Sequence, residues 1–277
     1  MIDRGRLLAL TALAMILAGA APAPTFDPTQ SDPRAIAVAD QVLQALGGQK
    51  AWDDTRFLRF SFVVEEAGKQ VASRTHLWDR WGGRLRYEKT DKDGSRCVVL
   101  LDINARTGSA WRGGVRLEQE EARPLLDEAY EAFINDTYWL LMPYKMKDPG
   151  VRLQYEGEVS RGGATYDRVM LSFKGVGLTP GDRYWADVNR VTHRMERWSY
   201  VLQDQPPGAT PTAWEWKGWA PYGRILLAPE KVGLGREAGS RILHPVLAVY
   251  DSLPDEFFSR PDPLPEPLPS APSGPAR

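Results

Sequence analysis

Residues 130–157 read YEAFINDTYWLLMPYKMKDPGVRLQYEG, and this stretch sets the architecture. Leu126, Ala129 and Tyr130, Phe133, Thr137, and Leu140 and Leu141 recur at helical spacing. The last turn, Tyr138 to Met142, is apolar on every side, as expected of a helix end covered from more than one direction. Pro143 stops the helix, because it has no N–H and its ring clashes with the preceding turn. Asp148-Pro149-Gly150 makes a turn, and Val151, Leu153 and Tyr155 follow at period 2, as in a half-buried strand. An oily helix therefore stands between two strand-rich regions, as a plug against a sheet. An ordinary core helix in an α+β domain fits the same stretch.

Outward from the helix, both flanks alternate. Upstream, Asp32-Pro33 opens a helix with an N-cap and a proline at its first position. Its stripe is Ile36, Ala39, Val42/Leu43 and Leu46, and Gly47-Gly48 ends it. Leu58, Phe60, Phe62 and Val64 then alternate with Arg59, Ser61 and Val63. Strands are expected over Thr75–Trp81, Arg84–Glu88 and Cys97–Asp102, with Ala110-Trp111 beyond a turn at Gly108. Downstream, strands are expected over Val151–Glu158, Tyr166–Phe173, Asp182–Val188, Thr192–Val201, Thr212–Trp219, Arg224–Leu227 and Arg241–Ser252. Close turn signals make both sets antiparallel meanders.

The ends differ from this body. Arg4 and Arg6, the apolar run Leu7–Leu17 broken by Thr11, and Ala18-Gly19-Ala20 give residues 1–20 the form of a signal peptide. The run is shorter than the ~20 residues of a spanning helix. Leu17-Ala18-Gly19-Ala20 resembles a lipobox with alanine in place of the lipidated cysteine, which implies a soluble, periplasmic or secreted product. Residues 21–31 read as a flexible leader and 32–260 as the folded domain. In residues 261–277 proline recurs every second or third position, which reads as a disordered tail.

Composition excludes several functions. The 277 residues carry a formal charge of -1, which does not suit a general nucleic-acid binder. A single cysteine, Cys97, excludes an internal disulfide and a cysteine-rich metal site, and it reads as a buried small hydrophobe. His76, His193 and His244 lie far apart at what read as solvated strand positions, with no metal spacing among them. No nucleophile elbow, P-loop or dinucleotide fingerprint occurs. The acidic Asp127, Glu128 and Glu131 read as a solvated helix face. No catalytic residue, cofactor or metal is expected, and the chain reads as a non-enzyme. Ten tryptophans suit a strand face or a binding surface.

The order of leader, helix, meander, helical plug and second meander resembles the outer-membrane lipoprotein carrier (LolA/LolB-like) superfamily. Local matches are Leu77-Trp78 with Arg84-Leu85-Arg86-Tyr87, Leu101-Asp102 with Gly108 and Trp111, and Tyr184-Trp185-Ala186-Asp187 with Val191 to Glu196. The central stretch is closer to an uncharacterised secreted bacterial branch. The resemblance covers roughly residues 32–261. It implies a mainly β, α+β fold: a curved, unclosed antiparallel sheet, a half-barrel, with helices covering its concave face around an apolar cavity for acyl chains. The family's lid-holding arginine would fall at Trp81, with Arg80 one residue early and so on the opposite strand face. No arginine latch is therefore expected.

Parity assigns the ligand-binding wall to Leu58, Phe60, Phe62, Leu77, Trp81, Leu85, Tyr87, Val99, Leu101, Leu153 and Tyr155. These face Phe133 and Leu140 on the helix Leu125–Met142. The expected partner is a lipid or acyl chain, with an envelope protein as a further partner and no integral membrane span. The alternative is a structural or protein-interaction module of the same fold with a filled core.

Overall fold

Asp32 caps the first helix as its spacing predicts: its carboxylate accepts the Arg34 N–H at 2.7 Å, and Pro33 fills the first position. In this computed structural model, which describes residues 25–174, 181–206 and 208–269, that helix is α1 (Pro33–Ala45). The expected signal peptide lies outside the described residues. Gly47 separates α1 from α2 (Gly48–Asp54) at φ 117°, where a β-carbon would stand 2.6 Å from the Arg224 carbonyl oxygen.

The first meander is β1 (Phe57–Glu66), β2 (Lys69–Asp79), β3 (Arg84–Thr90), β4 (Arg96–Asp102), β5 (Thr107–Arg112) and β6 (Val115–Arg116). The plug is α3 (Gln119–Leu141), which begins before the expected Leu125 and has Glu120 and Glu121 in its first turn, where the helix dipole favours them. The second meander is β7 (Val151–Arg161), β8 (Ala164–Phe173), β9 (Arg183–Asn189), β10 (Met195–Val201) and β11 (Thr212–Lys217). After it come β12 (Ala220–Tyr222), β13 (Ile225–Leu227), β14 (Glu230–Leu234), β15 (Ser240–Leu243) and β16 (Leu247–Tyr250). β12 and β13 form a separate small ribbon. The main sheet runs β6-β5-β4-β3-β2-β1-β15-β14-β11-β10-β9-β8-β7, with antiparallel neighbours, and β16 also pairs with β1. β1 joins the two meanders: β15 binds its far half at Val63–Glu66 and β16 its near half at Phe57–Phe60.

The sheet is curved and does not close, and its helices lie on the concave side. This is the half-barrel that the resemblance implied. α1 and the C-terminal end of α3 share a core with Leu58 and Phe60 of β1 and with side chains of β7 to β11. The N-terminal part of α3 covers β3, β4 and β5.

Parts of two segments expected to be loose, residues 25–31 of the leader and 261–269 of the tail, are docked, and the rest of both lies outside the described residues. In the leader, Pro28–Gln30 forms a 3-10 turn capped by Asp27, and Phe26 packs against the core. Ser31 and Asp32 bond the backbone of Leu153 on the edge strand β7, so they cover part of that edge. At the other end, residues 261–269 lie across the convex face of β1 to β4. Leu264 and Leu268 pack with Phe57, Leu77, Phe257 and Phe258. The guanidinium of the buried Arg86 bonds the carbonyl oxygens of Phe257, Arg260 and Asp262, and Arg59 pairs with Glu266. Proline prevents strand pairing here but not docking, because the contacts run through side chains and outward-facing carbonyls.

Candidate functional site

The concave wall is built by strand register. Leu58 pairs with Trp78 and Trp78 with Leu85, and Phe60 pairs with His76 and His76 with Tyr87. Tyr87 pairs with Val99 and Leu85 with Leu101. These side chains share a face and meet α3. Leu85, Tyr87, Val99, Leu101 and Phe133 form one buried cluster, and Leu58, Phe60, Leu140 and Leu153 another, with Tyr155 against its edge. Phe62 packs with Trp214 and Ile242, and Trp139 closes over them.

Two expected wall residues lie elsewhere. Leu77 pairs with Arg59 and is buried on the convex face under Phe257, Phe258 and Leu268. Both Leu77 and Trp78 are apolar because both faces of β2 are covered, so alternation there has no phase. Trp81 is 62% exposed in the turn after β2, where its indole N–H donates to the Asp53 carbonyl. β2 ends at Asp79, so strand parity does not reach Arg80 either. Arg80 instead fastens the end of α2, which is not the helical plug α3. Its guanidinium donates to the Trp52 carbonyl at 2.7 Å and to that of Thr55, and stacks 3.6 Å from the Trp52 ring, holding the C-terminal end of α2.

Polar groups that sequence reading set aside gather on the same wall. Asp136, on α3, is fully buried. Arg74 forks onto its carboxylate with two bonds of 2.6 Å, and His76 Nε2 donates to it at 2.7 Å. Burial alone would raise the Asp136 carboxyl, but the bonds from Arg74 and His76 outweigh it and hold it below its usual value. Burial lowers the His76 imidazole, against the pull of Asp136. Phe60 stacks on His76 at 4.7 Å and meets His244 edge-on at 6.1 Å. His244 Nδ1 donates to the Ser61 carbonyl at 2.7 Å, which leaves Nε2 as a bare acceptor without a partner. His76 and His244 are thus buried, not solvated as expected. Lys231, on β14, is also fully buried.

The concave end of α3 meets aromatic rings. Trp139 lies 4.5 Å from Trp198 and 5.2 Å from Trp214, and Tyr138 lies 5.5 Å from Trp198. The indole N–H groups of Trp78, Trp198 and Trp216 and the Tyr138 hydroxyl are buried without a hydrogen-bond partner. The wall itself is closed: Leu58, Phe60 and Tyr87 have no exposed surface. A groove of about 580 Å³ opens instead beside β2 and β3, lined by polar side chains including Arg74, Lys89, Arg96 and Glu128. Glu128, expected on a solvated face, accepts from the Tyr87 hydroxyl at 2.8 Å and from Lys89 at 2.7 Å. Cys97 is buried as expected and donates to Asp91. Among the described residues no cluster of His, Cys, Asp and Glu could hold a metal ion, and no helix is long and apolar enough to cross a membrane.

One missed residue was legible. Ala129, Phe133, Asp136 and Leu140 follow helical spacing, which puts a carboxylate on the buried stripe and calls for cationic partners. Lys231 gave no such signal, because Val232 and Leu234 alternate with it as if it faced water.

No family model matches the chain, and no curated protein matches it. Among solved structures it is similar to a DUF1329 family protein from Desulfovibrio piger, at 14% identity and TM-score 0.49, over 82% of this chain and 98% of that one. An outer membrane lipoprotein-sorting protein domain from Vibrio parahaemolyticus is similar at 9% identity and TM-score 0.46, over 82% of this chain and 97% of that one. A LolA superfamily protein from Nitrosomonas europaea matches at 10% identity and TM-score 0.40, over 82% and 97%. These are likenesses of fold, and no ligand or activity follows from them.

Proposed function

We propose that this protein is an exported, non-enzymatic carrier or sensor that binds a lipid acyl chain or similar apolar ligand between α3 and the concave sheet. One observation carries the reading: the unpartnered indole N–H groups of Trp78, Trp198 and Trp216 and the Tyr138 hydroxyl, all buried in the concave core. Buried donors are normally bonded, and each one left alone costs about 1–3 kcal/mol. An alkyl chain alone satisfies none of them, but a head group with acceptor oxygens would, while its chain packs on the apolar side chains of the same wall. α3 is the element that would yield, with Pro143 and Gly150 just beyond its end. The test is titration of delipidated protein with a fluorescent undecanoic acid. Saturable binding, displaced by unlabelled dodecanoic acid, supports the reading. Absence of saturable binding overturns it.

The filled-core interaction module, acting on an envelope protein, is favoured by one observation: Leu58, Phe60 and Tyr87 at the centre of the concave wall have no exposed surface. It becomes the better reading if the titration fails. Export rests on residues 1–20, and intact-mass measurement of the exported protein should show a chain starting near Ala21 without added acyl groups.

A further inference from the structure

Lys231 has no evident reason to be where it is. Its amine is fully buried on the concave floor, donates to the Ala228 carbonyl at 2.6 Å, and lies 4.4 Å from the centre of the Trp216 ring. No carboxylate pairs with it among the described residues; Glu230 and Val232, its neighbours in β14, point to the other face. An ammonium needs three acceptors and has one. Burial accordingly drives the amine well below the usual lysine value, toward the neutral form. A methionine would fill the same volume without this cost, so the amine is retained against stability.

Its neighbours are also incomplete. Lys231 pairs with Ile242, so His244, two residues further along, is its diagonal neighbour on the same face, and its Nε2 is buried without a partner. The indole N–H of Trp216, over whose ring the amine lies, is unpartnered as well. Beyond Phe60 stand His76 and Asp136, which are bonded to each other and to Arg74. The floor therefore offers a neutral amine, an indole donor and a bare imidazole nitrogen, surrounded by apolar side chains.

We propose that Lys231, with Trp216 and His244 beside it, receives the head group of a carboxylic acid whose apolar chain lies along the concave face. This rests on the chain-binding reading above and narrows it to acids. A carboxylate entering from water would bring one proton with it, which the Lys231 amine takes up to become the ammonium. The pair formed is an internal salt bridge, with the other carboxyl lone pairs open to the Trp216 N–H. A chain without an acidic head would gain nothing from the amine.

The experiment is isothermal titration of delipidated protein with dodecanoic acid and with methyl dodecanoate, each in phosphate and in Tris at one pH. The acid should bind at least about tenfold more tightly than the ester, with uptake of about one proton per acid, read from the difference between buffers. Lys231→Met should lose the preference and the proton uptake, keep ester binding, and melt at a higher temperature than the wild type. Lys231→Leu is the second replacement and should behave alike. Equal binding of acid and ester by the wild type, or a preference that survives in both variants, overturns the inference and leaves chain binding standing. Lower melting of both variants also overturns it, because the amine would then be holding the fold. If neither compound binds the folded wild type, chain binding fails and this inference fails with it.

Discussion

Asp136 is the residue on which the closed state turns. It bonds α3 to β2 through Arg74 and His76 in a site with no water-exposed carboxylate surface. Asp136→Asn keeps the volume but leaves Arg74 facing a neutral amide. The cost of stranding one partner of a buried pair is about 3 kcal/mol, and chemical denaturation should show a loss of that order. An unchanged midpoint would mean that water already serves Arg74. Arg80 is a smaller case of the same kind. Arg80→Met keeps the stem over Trp52 but leaves the Trp52 and Thr55 carbonyls without their donor, and should cost about 1 kcal/mol by the same measurement.

Among the elements, α3 and the C-terminal segment hold opposite faces of one sheet. α3 is long, and its two ends belong to different cores. Its last turns rest on aromatic rings and unpartnered donors, whereas its earlier turns rest on apolar side chains and on the satisfied bonds of Glu128 to Tyr87 and Lys89. Amide exchange should therefore be faster over Tyr138–Leu141 than over Ala129–Phe133, and dodecanoic acid should slow the former. Equal protection in both halves would argue against a yielding end. The C-terminal segment behaves as a strap. Truncation after Arg260 re-exposes Phe57 and Leu77, removes Leu264 and Leu268, and strips Arg59 of Glu266. The expected loss is about 3 kcal/mol, or roughly 10 °C in Tm. A tail without contacts would leave Tm where it was.

At the scale of the whole molecule, buried bases make stability depend on pH. His76 and His244 are held below the histidine value of 6.5 by burial, so the folded state refuses protons that the unfolded chain accepts. Their stabilising contribution is complete above that value and is lost as pH falls below it, at up to about 1.4 kcal/mol per pH unit for each histidine. Asp136 adds a second loss below 3.8, because its folded carboxyl resists a proton that the same carboxyl takes up readily in the unfolded chain. Denaturation curves at pH 8, 6 and 5 should show the histidine slope, and His244→Gln should reduce it. A flat profile over that range would contradict the buried neutral imidazoles. Lys231 acts with the same sign at higher pH: its lowered value means that stability should rise toward 10.5 in the wild type and not in Lys231→Met.

Sequence alone determined the elements whose signals are local. Asp32-Pro33 fixed a helix start, Pro143 a helix end, and alternation of apolar with polar residue types fixed β1 and β3, since these depend on backbone chemistry and on the local order of side chains. It also placed Leu58, Phe60, Leu85, Tyr87 and Val99 on one wall. Tertiary structure decided what alternation could not. Leu77 is buried and Trp78 half-buried because the C-terminal strap covers one face of β2 and α3 the other, and a strand covered on both sides has no readable phase. The proline-rich segment docks because Arg59 and Arg86 project from distant strands to meet it. Lys231, His76 and His244 look like surface residues in the chain; only the curving of the sheet around α3 takes them from water, and desolvation is a property of the assembled neighbourhood, not of the residue.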